Sequence, residues 1–200
     1  TSSELDSRMV VTNRVPATNA DMPSPSSRVD PQQADRGSSA ADLPLVSVVV
    51  PTYGRSPELF AAAIESIKAQ TYDNIEVVVV DDHSPEPVEP RLRELSFDVR
   101  TLRCLRHEEN KGANAARNTG IRAAAGEFVS FLDDDDVWTS EVVEREVRTF
   151  LEGGDSVGVV YTGSIMQNGD GEVIGTYTPE VSGDVLTDLF CGRRIAPFSN

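Results

Sequence analysis

Lysine is almost absent from this sequence of 200 residues: Lys68 and Lys111 are the two that occur, and arginine supplies the rest of the 18 basic side chains. The 33 acidic residues outweigh them and leave a formal net charge of −15. Such a charge argues against a nucleic-acid binder, because a protein that holds a polyanion needs a basic surface. Many carboxylates with few lysines suit a protein that stays soluble in concentrated salt, so the composition predicts a halophilic source.

Cysteine is also scarce, with Cys104 and Cys191 as the two examples. Two cysteines form no disulfide framework, which fits a reducing compartment. Cys104 lies in an apolar stretch, so we interpret it as a small core residue rather than a reactive thiol. The sequence contains no apolar run long enough to cross a bilayer and no signal-peptide pattern. We therefore predict a cytoplasmic protein without a transmembrane segment, with the inner face of the membrane as the alternative location.

Large apolar residues are rare in residues 1–44, which are rich in Ser, Pro, Ala and Asp. Such a segment cannot bury enough surface to offset the entropy that ordering would cost. We therefore predict a disordered N-terminal tail over residues 1–44. The remaining residues, 45–200, are enough for one folded domain with its own hydrophobic core.

Strand and helix patterns alternate after the tail. Nearly continuous apolar residues at 45–51, 75–80 and 128–132 predict buried strands, as in parallel sheets covered on both faces. Amphipathic helices are predicted between them, the first with Ser56 as its cap and Pro57 as its first residue. Further strands are predicted at 99–105 and 157–162, a helix at 139–151, and a hairpin turn at 168–171. This order predicts a three-layer α/β/α sandwich with a mostly parallel sheet.

Four consecutive carboxylates, Asp133 to Asp136, follow the strand at 128–132. Because like charges repel each other and resist burial, a hard divalent cation such as Mg²⁺ would offset them. A solvated turn or a calcium-binding loop is the alternative, since charge runs are mostly solvent-exposed. The strand at 75–80 also ends in acids, Asp81 and Asp82, although an ordinary turn with a helix cap explains that pair better when it is taken alone. Open α/β sheets bind ligands at the carboxyl ends of their strands, which favours a site.

A polar face is predicted on the helix that precedes the acid cluster. Asn110, Asn114, Arg117 and Asn118 are spaced so that they share one side of it. Asparagine costs helix stability, so a face that meets a ligand explains the pattern better than solvent exposure does. The planar guanidinium of Arg117 suits a diphosphate, because it can pair with two oxygens.

These segments, SVVVPTYGR (47–55), VVVVDDHS (77–84) and ENKGANAARNTGIRAAAGEFVSFLDDDDVW (109–138), resemble family-2 glycosyltransferases of the GT-A fold. The resemblance covers the chain from about Leu45 onward. It implies a nucleotide-sugar donor, a divalent cation (Mn²⁺ or Mg²⁺), and transfer to a saccharide or lipid-linked acceptor with inversion at the anomeric carbon. UDP-sugars are the favoured donors, with GDP-sugars next.

The resemblance also implies roles for particular residues. Asp82 corresponds to the carboxylate that binds the base, Asp134 to one that faces the donor ribose or sugar, and Asp135 to the metal ligand of the family's DXD motif. The loop at 51–55 would cradle the nucleotide, and the segment at 111–118 would line the diphosphate. The implied donor-binding residues are Pro51, Tyr53, Arg55, Asp81, Asp82, Lys111, Gly112, Arg117, Asn118, Asp133 and Asp134.

The same resemblance puts the catalytic base on a later acidic segment. We therefore expect the base beyond Asn200 and interpret the chain as the donor-binding part of a truncated enzyme. A non-catalytic nucleotide-sugar binding fragment is the main alternative. A nucleotidyltransferase fits less well, because that class has a Gly-rich phosphate loop where this chain has Gly54 alone. An acidic interaction or calcium-buffering protein would leave the Asn/Arg helix face unexplained.

Overall fold

The structure is a computed structural model that describes residues 43–95, 101–154, 157–169, 171–178 and Gly183, together with the backbone of Val10–Arg14. The strands within these residues are β1 (Val10–Arg14), β2 (Val46–Thr52), β3 (Ile75–Asp81), β4 (Thr101–Arg106), β5 (Phe128–Leu132), β6 (Val159–Tyr161), β7 (Ser164–Gln167) and β8 (Val173–Tyr177). The helices are α1 (Pro57–Lys68), α2 (Glu89–Glu94), α3 (Ala113–Ala123) and α4 (Val142–Gly153).

Six strands form one sheet in the order β4-β3-β2-β5-β1-β6. The four strands from β4 to β5 are parallel, and helices α1, α2 and α3 make the crossovers that parallel pairing requires. β1 runs antiparallel to both of its neighbours, and β7 and β8 form a separate hairpin. The predicted mostly parallel sheet and the hairpin are confirmed.

Helices cover the sheet on both faces. Every residue of β2 and β3 is buried, which explains why their sequences are nearly continuous in apolar residues. On one face α1 and α4 supply Phe60, Ile64 and Phe150, whose ring stacks on Phe128 with 4.8 Å between centroids. On the other face Ala116 of α3 packs against the sheet. The three-layer sandwich is therefore present as predicted.

The predicted cap of α1 is confirmed, whereas the start of α4 differs from the prediction. Ser56 caps α1 by accepting a hydrogen bond from the backbone N–H of Leu59, and Pro57 is the first helical residue. Helix α4 begins at Val142, later than the predicted residue 139. The helical spacing of Val143, Val147, Phe150 and Leu151 predicts all four on the core side, but Leu151 is 58% exposed, so that prediction is wrong for Leu151. The neighbouring Phe150 takes the buried position, and the next residue lies about 100° further around the helix.

Part of the predicted disordered tail has a described backbone. Val10–Arg14 forms β1, which fills the position between β5 and β6. Its sequence, VVTNR, has three consecutive β-branched residues, which are enriched in strands. The rest of residues 1–42 lies outside the described residues, so the boundary between tail and domain stays a prediction.

Cys104 lies on β4 and packs partly buried against the core. Burial raises the pKa of its thiol to about 11. A thiol that resists ionisation is a poor nucleophile, which supports the interpretation of Cys104 as a core residue.

A buried carboxylate, Glu76, joins β3 to three neighbouring segments. It accepts hydrogen bonds from the Ser47 hydroxyl, from the backbone N–H of Ala125 at 2.6 Å, and from the Arg103 guanidinium at 3.0 Å. Burial alone would raise the pKa of Glu76, but these donors lower it overall. The ionised carboxylate therefore stabilises the fold near the amino ends of β2 and β3.

We expect Glu76→Gln to lower the free energy of unfolding by about 1–3 kcal/mol at neutral pH, because buried donors lose a charged acceptor. The pKa of Glu76 is lower in the folded chain than its ordinary value of 4.5. Its contribution is therefore present above that value and is lost as pH falls through the folded pKa. Urea unfolding at a series of pH values from about 7 downward should show a constant deficit for the variant above 4.5 and a shrinking deficit as the pH is lowered further. The exposed Glu108→Gln is the control, and a deficit that does not shrink below 4.5 would contradict the assignment.

Candidate functional site

The predicted site residues meet at one edge of the sheet. Thr52 at the end of β2 pairs in register with Asp81 at the end of β3, and β5 runs parallel beside β2 and leads into Asp133. Carboxyl ends of parallel strands lie at the same edge, where helix crossovers leave a crevice. The loops that follow β2, β3 and β5 therefore adjoin one another.

The loop after β2 combines buried and exposed positions. Pro51 is buried, whereas the Tyr53 ring is 54% exposed at the surface of the site. Gly54 has a φ of +61°, and its backbone N–H donates to the Ser84 hydroxyl at 3.0 Å. This bond ties the loop after β2 to the loop after β3, so that Arg55 follows at a fixed position.

Two arginines meet the acid cluster. Arg55 donates to Asp134 at 2.9 Å, and a second nitrogen lies 2.9 Å from Asp135. Arg117 of α3 donates to Asp133 at 2.6 Å. Burial lowers the pKa of Arg55, but the neighbouring carboxylates raise it overall. The structure thus brings together the loop at 51–55, the helix face and the acids.

Burial alternates along the four acids. Asp134 and Asp136 are buried, whereas Asp133 and Asp135 are partly exposed. The backbone N–H of Asp136 donates to the Asp133 carbonyl at 3.0 Å, which closes the cluster into a tight turn. Side-chain exposure is 28% at Asp135, 7% at Asp134 and 16% at Asp133. Asp135 is thus the most accessible of these three carboxylates.

The acid cluster suits a hard divalent cation in its donor chemistry. Burial raises the pKa of Asp135, and Arg55 lowers it. Asp134 and Asp133 raise it further, so the pKa of this carboxyl is above its ordinary value overall. Added positive charge would relieve this repulsion. Within the described ranges, no three His, Cys, Asp or Glu side chains are grouped so as to hold a metal together. Mg²⁺ sites commonly use one or two carboxylates and leave the other positions to water and substrate phosphates, so the residues fit such a cation.

Asp81, which was predicted to lie beside the base-binding carboxylate, makes its hydrogen bonds mainly with the loop that follows it. It accepts hydrogen bonds from the backbone N–H of Ser84 at 2.7 Å and of Val88 at 3.3 Å, and it pairs with Arg106 of β4. Burial would raise the pKa of Asp81, but these donors lower it overall. At 1% exposure Asp81 supports the loop after β3 from within.

Asp82 contacts the segment that leads into α3. One oxygen accepts the backbone N–H of Lys111 at 2.9 Å and lies 2.6 Å from His107 Nδ1. The other accepts the backbone N–H of Gly112 at 2.6 Å. Burial raises the pKa of Asp82, but the Lys111 amide, His107 and the Gly112 amide lower it overall. The base-binding candidate is thus joined to the predicted diphosphate-lining segment.

The remaining candidates lie on α3 and in the segment that leads into it. Gly112 has a φ of +87°, a conformation that favours glycine, and the helix begins at the next residue. Lys111 and Asn118 are exposed, and the Asn114 side chain accepts a hydrogen bond from Arg117 at 3.3 Å. The predicted polar face therefore exists and borders the acid cluster through Arg117.

Sequence reasoning missed the contribution of β4 to the site. Arg106 and His107, at and just after the end of that strand, contact Asp81 and Asp82. Thr119 on α3 contacts His107 in turn, at 2.9 Å. The sequence did contain a signal for His107 as a site residue. His107 follows β4 as Asp82 follows β3, and residues after parallel strands lie at the same edge of the sheet. His83, which follows Asp82, is exposed and has a φ of +66°.

Comparison with known proteins identifies this arrangement. Residues 47–189 match the family model described as "Glycosyl transferase family 2". The UDP-Glc:alpha-D-GlcNAc-diphosphoundecaprenol beta-1,3-glucosyltransferase WfgD of Escherichia coli is 37% identical over 108 residues, which are 54% of this chain and 42% of that protein. The uncharacterized glycosyltransferase alr2836 of Nostoc sp. is 34% identical over 144 residues, 71% of this chain and 44% of that protein. The chain thus spans less than half the length of these relatives.

A solved structure agrees with the sequence comparisons. The mannosyltransferase PcManGT from Pyrobaculum calidifontis, in complex with GDP-Man and Mn²⁺, is similar with a TM-score of 0.53 and 30% identity. The similarity covers 62% of this chain and 36% of that one. None of the helices within the described residues has both the length and the apolar character that a bilayer crossing needs.

Proposed function

The chain belongs to glycosyl transferase family 2, and from that premise we propose that it moves a sugar from a nucleotide-sugar donor, with UDP-sugars favoured, to an acceptor hydroxyl with inversion at the anomeric carbon. The observation that carries this proposal is the meeting of Arg55, Arg117 and the acids Asp133 to Asp135 at the carboxyl edge of the sheet. This edge is where open α/β sheets bind nucleotides.

The acid cluster would hold a divalent cation, Mn²⁺ or Mg²⁺, chiefly through Asp135. When bound, such a cation acts as a Lewis acid on the phosphates of the leaving nucleotide. Arg55 and Arg117 border the same carboxylates at 2.9 and 2.6 Å, so their guanidinium groups are close enough to pair with phosphate oxygens. Their charge is fixed in place before the reaction, so it stabilises the leaving diphosphate with little reorganisation.

Donor recognition would use the loops on either side of the acids. Tyr53 offers an exposed ring at the end of β2, and Asp82 offers a carboxylate at the end of β3. Lys111 and Gly112 lie just before α3, and Asn118 lies on the exposed side of the helix. Inverting transfer also needs a base that takes the proton of the acceptor hydroxyl, and we assign no residue of the described ranges to that role.

The relatives support a lipid-linked or saccharide acceptor. The Escherichia coli relative is named for transfer from UDP-Glc to a diphosphoundecaprenol-linked sugar. The solved mannosyltransferase binds GDP-Man and Mn²⁺, which supports a cation and keeps GDP as the second candidate nucleotide. For this chain both the donor and the acceptor are proposals.

A thermal-shift panel tests the proposal directly. We expect UDP with Mn²⁺ or Mg²⁺ to raise the melting temperature more than GDP, dTDP or CDP does, because a ligand that binds the folded state stabilises it. Saturation to about 100 times the dissociation constant should contribute about 2.7 kcal/mol. The same nucleotides with EDTA serve as controls. No shift with any nucleotide in the presence of cation would contradict the proposal.

Asp82→Ala should weaken nucleoside diphosphate binding by about 1–3 kcal/mol, the usual cost of losing a charged hydrogen-bond partner. Cation affinity should stay nearly unchanged, because Asp82 pairs with the segment before α3 rather than with the acid cluster. Calorimetric titration with UDP and with Mn²⁺ separates the two. Asp73→Ala, an exposed carboxylate at the opposite end of β3, is the matched control. A large fall in cation affinity in the Asp82 variant would mean that its role is misassigned.

A further inference from the structure

A histidine outside all of the predicted site residues bridges Asp82 and α3. His107 Nδ1 lies 2.6 Å from Asp82 Oδ1, and its Nε2 lies 2.9 Å from the Thr119 hydroxyl. The side chains of His107 and Asp82 are 10% and 3% exposed. Both ring nitrogens are therefore engaged within the protein, and the ring is held between the end of β4 and the helix.

The Asp82 carboxylate determines which ring nitrogen carries a hydrogen. Because an ionised carboxylate only accepts, Nδ1, which lies 2.6 Å from it, is the nitrogen that donates. Nε2 lies 2.9 Å from the Thr119 hydroxyl, which accepts a hydrogen bond from Arg122 at 3.3 Å and can donate its own hydrogen to the ring. Thr119 and His107 thus form a chain of donors that ends at Asp82.

This chain limits what Asp82 can still accept. A carboxylate has about four lone-pair positions. Oδ1 uses two of them for His107 and the Lys111 amide, and Oδ2 uses one for the Gly112 amide. One lone-pair position on Oδ2 is left for a ligand, on a side chain that is 3% exposed.

We propose that His107 is a positioning residue that fixes Asp82 with one remaining acceptor and thereby makes the site prefer a uracil base over guanine. The inference rests on the proposed function and concerns its specificity. Uracil presents one imide N–H, which a single acceptor satisfies. Guanine presents two adjacent N–H donors, which call for both oxygens of a carboxylate. With Oδ1 saturated by His107, the second donor of guanine is left unpaired, and an unpaired buried donor costs affinity.

Variants of His107 and Thr119 test the inference through the ratio of GDP to UDP dissociation constants, measured by calorimetry with Mn²⁺ present. The wild type should prefer UDP by about tenfold or more, which is about 1.4 kcal/mol. His107→Leu removes the donor and frees Oδ1, so the ratio should fall to within about threefold of unity. His107→Asn keeps a donor near the position of Nδ1 and should retain most of the preference. Thr119→Val releases Nε2 and should give an intermediate ratio.

The outcomes separate specificity from folding and from the function itself. A purely structural role for His107 would lower UDP and GDP affinity by the same factor, and that result would overturn the inference. Equal behaviour of His107→Asn and His107→Leu would also overturn it. A wild type that binds GDP at least as tightly as UDP would overturn the inference but would leave the proposed nucleotide-sugar transfer unaffected. A wild type that binds neither nucleotide would contradict both the inference and the proposed function. If His107→Leu does not fold, the milder Thr119→Val decides, and an unchanged ratio there counts against the inference.

Discussion

Asp135→Ala is expected to remove most of the dependence of nucleoside diphosphate binding on Mn²⁺ or Mg²⁺. Of Asp133, Asp134 and Asp135, the last has the most exposed side chain, and its raised pKa reflects burial and repulsion by the other two. Asp135 would be the main protein ligand of the proposed cation, so the variant should hold the cation poorly. We expect UDP affinity with cation present to fall by about 100-fold, or about 2.8 kcal/mol.

Calorimetric titration of UDP with Mn²⁺, with Mg²⁺ and with EDTA measures the effect. Because Asp135 also pairs with Arg55, the control is Arg55→Gln, which removes that pairing and keeps the carboxylate. This control should weaken binding yet keep a clear difference between Mn²⁺ and EDTA. Equal UDP affinity with Mn²⁺ and with EDTA in the wild type, or an undiminished cation effect in the Asp135 variant, would refute the metal assignment.

Gly120→Ala should destabilise the fold by about 1–3 kcal/mol, although alanine is normally the better helix former by about 1 kcal/mol. A Cβ at Gly120 would lie 2.2 Å from Val49 Cγ1 and 2.9 Å from Cγ2, because α3 packs directly on β2 there. The helix must move away from the sheet to make room. Since Arg117 lies one turn earlier on α3, nucleotide binding should weaken along with stability.

A double-mutant cycle identifies the cause. Val49→Ala removes the atoms that clash. The double variant should therefore lose clearly less free energy of unfolding than the two single variants lose in sum. Asn118→Ala, an exposed position on the same helix, should be neutral or slightly stabilising. Urea unfolding gives the free energies. Strict additivity in the cycle would show that close packing of Gly120 on Val49 is not the reason.

The sequence by itself determined the elements and the edge at which they meet. The continuous apolar runs at β2, β3 and β5 predicted fully buried parallel strands, and every described residue of these strands is buried. Local signals placed the helix start at Ser56 and the hairpin turn at 168–171, because capping and turn formation depend on residues a few positions apart. The acids that follow β3 and β5 then had to lie at one edge, since parallel strands end on the same side.

The tertiary structure alone decided which partner each acid takes. Asp81 and Asp82 are neighbours in sequence, yet Asp81 pairs with Arg106 and its own loop, whereas Asp82 meets His107 and the segment before α3. Apart from the loop that Asp81 contacts, these partners lie 25 to 30 residues away in sequence, so the strand order β4-β3-β2-β5 is needed to bring them close. The side chains of adjacent residues at a strand end project to opposite sides of the sheet, and the fold determines which residues they contact there. For the same reason the roles of His107 and Thr119 depend on β4 and α3 coming together, which no local pattern in the sequence encodes.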